Sequence, residues 1–80
     1  TGQLNVYPNP AHDAVHVKLK KPENGVLTIH DISGKLVQQH NVSVANFPRR
    51  TINISNLKHG IYILQLQTET AIHSTRIIKN

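Results

Sequence analysis

The chain has 80 residues, with nine Lys and Arg against four Asp and Glu for a formal net charge of +5, six His, and no Cys, Met or Trp. That length holds one small domain whose thin core must form without a disulfide. The missing cysteines also exclude thiol catalysis, thiol redox chemistry and cysteine metal sites, and no apolar run approaches the roughly 18–20 residues that span a bilayer. The apolar set is almost wholly aliphatic, and Val, Ile and Thr fit a pleated surface better than a helix.

Period-two alternation recurs along the chain. Leu4 and Val6 mark a short first strand that ends at Pro8-Asn9-Pro10. Each Pro fixes its own φ and biases the preceding residue towards extended geometry, so this segment can start or edge a sheet but cannot sit centrally in one. From Asp13 to Lys20, Val15, Val17 and Leu19 share an inward face, with His16, Lys18 and Lys20 on the other. Lys21-Pro22-Glu23-Asn24-Gly25 reads as a turn in which Asn-Gly supplies positive φ.

Val26–Asp31 is the next strand, with Leu27 and Ile29 inward. Asp31-Ile32-Ser33-Gly34 has the chemistry of a type I turn closed by a left-handed Gly, the hairpin with a bulge. A strand from Lys35 to about Val44 follows, and Ala45-Asn46-Phe47-Pro48 breaks the pattern. Arg49–Ser55, with Ile52 and Ile54 inward, then Gly60–Gln67 and Ala71–Lys79 complete the set. About seven short strands at intervals of about 8–12 residues predict an all-β, immunoglobulin-like antiparallel β-sandwich.

Two local patterns carry more than strand periodicity. Leu57-x-x-Gly60-x-Tyr62 matches a tyrosine corner, in which the Tyr hydroxyl bonds backbone a few residues upstream. Leu57 would plug the open end of the core, and Gly60 would supply positive φ or close backbone approach. In the last strand, Ile77 and Ile78 are adjacent and must point to opposite faces. One is therefore expected at the surface, flanked by charge on a terminal edge strand, a setting suited to docking by strand addition.

Chemistry is poorly represented. His12, His16, His30, His40, His59 and His73 form no HExxH or HxH pattern, although His16 and His30 are expected on outward faces of neighbouring strands, where they can meet. Ser33 and Ser55 lack a nucleophile elbow, and Asp13 and Asp31 read as turn or strand-end residues. The sequons Asn41-Val42-Ser43 and Asn53-Ile54-Ser55 lie within predicted strands. The nine cations are scattered and no aromatics are interleaved with them, which argues against nucleic acid and for a solvated surface. No cofactor is expected.

The segments Val6-Tyr7-Pro8-Asn9-Pro10-Ala11-His12-Asp13, Ile29–Val37 and Leu57–Leu66, with the tail Arg76-Ile77-Ile78-Lys79-Asn80, together resemble the C-terminal sorting domain of the type IX secretion system, over essentially the whole chain. The resemblance implies an address label and no enzyme. It implies that residues 1–80 are one domain at the C-terminal end of a larger secreted protein of Bacteroidota-type bacteria. The absence of Met at the start agrees with a fragment. The attached N-terminal cargo would cross the periplasm and then meet the outer-membrane translocon, including a shuttle protein and a sortase-like protease. The cargo would reach the cell surface or the medium while the domain itself is removed.

The residues that the resemblance assigns to translocon recognition are Pro8, Asn9, Pro10, Gly60, Tyr62, Arg76, Ile77, Ile78, Lys79 and Asn80. The tail departs from the family in carrying only two cations and in ending on Asn80. The alternative reading is a β-sandwich accessory module that binds carbohydrate or adhesive ligands. It is poorly equipped with ring platforms, having only Tyr7, Phe47 and Tyr62. Exposed strand edges would also offer a route to self-association.

Overall fold

The alternating pattern is realised as two facing sheets. A computed structural model describes all residues except Thr1, Leu4, Lys21 and Phe47, and describes Gly2, Gln3 and Asn46 by their backbone. The strands are β1 (Gly2–Gln3), β2 (Asn5–Tyr7), β3 (Ala14–Lys18), β4 (Gly25–Asp31), β5 (Leu36–Val42), β6 (Arg49–Asn53), β7 (Gly60–Thr68) and β8 (Ile72–Lys79), with a short 3-10 turn at Val44–Asn46. A five-stranded sheet runs β1-β8-β7-β4-β5, and a three-stranded sheet runs β2-β3-β6. All pairings are antiparallel except β1 with β8.

The expected inward faces meet. Val15, Val17 and Leu19 lie against Leu27, Ile29, Ile52, Ile54, Leu64 and Ile77 in one buried cluster, with Leu57 packed at its margin. Each such aliphatic side chain contributes about 1.5–3 kcal/mol on burial. The Asp31 hairpin also forms as expected. Gly34 has φ +93 and donates its N–H to the Asp31 carbonyl at 2.9 Å, and the register shifts by a bulge at Ile29/His30. The Asp31 carboxylate accepts the Ser33 N–H (3.0 Å), the Ser33 hydroxyl (2.6 Å) and the Lys35 N–H (3.0 Å). These bonds, the Ser33 hydroxyl foremost, lower its pKa below the ordinary carboxylate value.

Four expectations need correction. The short first strand is two pieces in different sheets, β1 and β2, and Leu4 between them lies outside the described residues. Asn24 and Gly25 do not adopt positive φ, because residues 19–24 cross from one sheet to the other instead of closing a tight hairpin. Gly25 is needed for space, since a Cβ there would sit 2.6 Å from the Gln67 carbonyl oxygen. His16 and His30 do not meet, because β3 and β4 belong to different sheets. Finally, β8 is not an edge strand: β7 lies on one side, and β1 with residues 9–11 on the other.

Candidate recognition surface at one end of the sandwich

The Pro-Asn-Pro segment and the tail, 67 to 69 residues apart at their contacts, are hydrogen-bonded to one another. Ala11 makes a parallel bridge to Lys79: its N–H donates to the Ile78 carbonyl (2.7 Å), and its carbonyl accepts the Asn80 N–H (2.8 Å). Two residues earlier, the Asn9 side chain continues the same ladder. Its Nδ2 donates to the Arg76 carbonyl at 3.2 Å, and its Oδ1 accepts the Ile78 N–H at 3.0 Å. A primary amide has one donor group and one acceptor, as a peptide does, so it can occupy a peptide's place in a ladder. The peptide bonds Tyr7-Pro8 and Asn9-Pro10 are cis. Because these edge groups of Arg76, Ile78 and Asn80 already have partners, strand addition there is blocked in this conformation. That revises the expected mode of docking.

Gly60 and Tyr62 stand beside the tail from the other side, in register with Lys79 and Ile77. Gly60 has φ +150 and nothing within 4 Å of a would-be Cβ, so backbone conformation and not close approach selects glycine. The Tyr62 ring is buried, and its hydroxyl donates to the Lys58 carbonyl at 2.6 Å. The tyrosine corner is therefore formed.

Alternation divides the tail between two faces. Ile77 is fully buried and Lys79 nearly so, while Arg76, Ile78 and Asn80 face water. Lys79 is tolerated inward because its ladder neighbours are Gly60 and Ala11, both small. Its ammonium reaches the Asn80 carbonyl at 2.9 Å, leaving the apolar stem buried. Of the ten residues singled out from sequence, all lie at this end of the sandwich. Sequence reasoning named Asn9 among them but missed that its side chain is the link that joins the two segments. The available signal was an amide held between two prolines, where the backbone itself has lost donors. It also passed over Ile61 and Ile63, which alternate with inward Tyr62 and Leu64 and so had to be exposed.

Elsewhere the chemistry is modest. Among the described residues no group of three or more His, Asp and Glu is placed to hold a metal. His16 bonds Thr51 Oγ1 through Nδ1 at 2.9 Å and packs against the half-exposed Tyr7 ring at 5.2 Å between centroids. His40, on β5, has its Nε2 2.7 Å from Gln38 Oε1. Partial burial, then the nearby Arg50 charge, lowers its pKa. A shallow open groove lies at the far end of the large sheet, around Gly25, Val42 and Thr68. Among the described residues no helix is long and apolar enough to cross a membrane.

The residues singled out from sequence thus come together at one end of an immunoglobulin-like sandwich. The solved structures support the fold: a DUF3244 family protein from Bacteroides vulgatus ATCC 8482, described as an immunoglobulin-like β-sandwich, superposes with a TM-score of 0.81 at 18% identity, covering 96% of this chain and 84% of that one. The chain belongs to the secretion system C-terminal sorting domain family, whose model matches residues 5–80. No curated protein matches it.

Proposed function

We propose that residues 1–80 act as one folded sorting domain at the C-terminal end of a larger secreted protein, recognised by the type IX outer-membrane machinery through the surface that Pro8–Pro10, Gly60, Tyr62 and Arg76–Asn80 build together. The family match carries the sorting role. The observation that favours a composite, folded signal over a linear tail is the Asn9 amide bonded to both Arg76 and Ile78. In this reading the attached cargo passes from periplasm to cell surface or medium, a shuttle protein and a sortase-like protease act on the domain, and the domain is cut away.

The test is a signal-peptide-bearing fluorescent protein carrying residues 1–80 at its C-terminus, expressed in a type IX-competent bacterium and in its translocon-null mutant. Surface or medium fluorescence in the competent strain alone supports the role, and the size of the released product brackets the cut. Periplasmic retention in both strains, with the domain folded, overturns it.

A further inference from the structure

The outer face of the five-stranded sheet is uneven. In an antiparallel sheet with one face on the core, the other face is ordinarily polar. Here the middle row across the sheet, Gln39–Thr28–Gln65–Ser74, obeys that rule. Towards the tail it fails. Ile61 lies directly opposite Ile78, and the adjacent row runs Leu36–His30–Ile63–Arg76. Ile61, Ile63, Ile78 and Leu36 are 37%, 39%, 38% and 45% exposed. The fold does not need them, since their neighbours Tyr62, Leu64 and Ile77 already supply the core. Contiguous exposed aliphatics rimmed by polar residues mark interaction surfaces.

Charge selects the occupant. Arg76 is exposed at the edge of the patch, and among the described residues its guanidinium has no hydrogen-bond or ion-pair partner. None of the four strands β4, β5, β7 and β8 places Asp or Glu on this face. Two copies stacked face to face would bring Arg76 against Arg76 with no acid to meet it. A lipid surface fits poorly too: the patch is flat, carries no aromatic ring, and borders a polar row.

We infer that this face docks a protein partner whose contact surface is apolar and carries a carboxylate for Arg76. Docking is face to face on the sheet, beside the covered edge of β8 and not by adding a strand to it. The inference rests on the sorting role, in which this face is where the export machinery holds the folded domain.

The same fluorescent fusion tests it. The triple variant Ile61→Thr/Ile63→Thr/Ile78→Thr keeps β-branched residues on the strands, and Arg76→Glu reverses the charge. Each should lower export by about tenfold or more, the loss expected of a central interface anchor. Arg76→Lys should retain most export, and Lys18→Gln on the small sheet should leave it unchanged. Melting temperatures of the purified fusions separate misfolding from lost docking.

Should the triple variant misfold, p-benzoylphenylalanine at Ile63 in the otherwise unchanged fusion gives a second readout. It should crosslink to a protein in the competent strain, and the same probe at Thr51 should not. Export of both variants at the unsubstituted level overturns the docking face alone. So does equal crosslinking at both positions, or binding to phosphatidylethanolamine–phosphatidylglycerol vesicles that Arg76→Glu abolishes. Retention of the unsubstituted fusion overturns the sorting role, and the docking assignment with it.

Discussion

The Asn9 carboxamide spans the Arg76 carbonyl and the Ile78 N–H, at 3.2 and 3.0 Å, and so stands in for a peptide group beside the last strand. Each such bond contributes about 0.5–1.5 kcal/mol net. Asn9→Ala should therefore destabilise the domain by about 1–2 kcal/mol, lowering the melting temperature by about 4–8 °C for each kcal/mol. Hydrogen exchange at Ile78 should accelerate more than exchange at Ile29 in the centre of the sheet. An unchanged rate at Ile78 would remove Asn9 from the ladder.

The Tyr62 hydroxyl tests the corner. Tyr62→Phe keeps the ring and removes the donor to Lys58, with an expected loss of about 1 kcal/mol in denaturant unfolding. Tyr62→Ala should cost about 3–5 kcal/mol, the range for deleting a buried aromatic ring. Equal losses in the two variants would mean that the hydroxyl, and not the ring, holds the corner.

Gly60 and Gly25 should fail for different reasons. At Gly60 there is open space but positive φ, so Ala and Ser should be about equally destabilising, by about 1–3 kcal/mol. At Gly25 the φ is ordinary and the Gln67 carbonyl is in the way. Gly25→Ala should then loosen β4 from β7, seen as faster exchange at the paired amides near Thr68.

His40 sets a pH dependence. Burial and the Arg50 charge lower its pKa from the ordinary 6.5, so the folded domain binds this proton more weakly than the unfolded chain does. Its contribution is fully present above that unfolded value and is lost as pH falls through the lower folded value. Denaturant midpoints measured from pH 7.5 downwards should fall in that window, and His40→Gln should flatten the dependence. Asp31 acts in a lower window, its stabilising effect present above about 3.8 and lost on further acidification.

Much of this was legible in the residues. Period two placed Val15, Val17, Leu27, Ile29, Ile52 and Ile54 in the core, and turn chemistry located the Asp31 hairpin. Leu57-x-x-Gly60-x-Tyr62 disclosed the corner. What alternation cannot carry is which strand joins which sheet. Alternation alone therefore makes His16 and His30 neighbours and β8 an edge, and sheet membership overrules both. The Asn9 latch was hidden for the same reason: a side chain bonding backbone about seventy residues away leaves no local period.

The cover over β8 begins at Gly2–Gln3 and ends at Ala11. Proteolysis ahead of residue 2 would shed an intact domain with its last strand still sheltered. A cut between residues 3 and 11 would free the part of that shelter ahead of it to peel away, exposing unpaired amides of β8. A domain cut there would be adhesive instead of inert. If the chain is severed in this region, the position of the cut would decide whether the domain stays single or clumps.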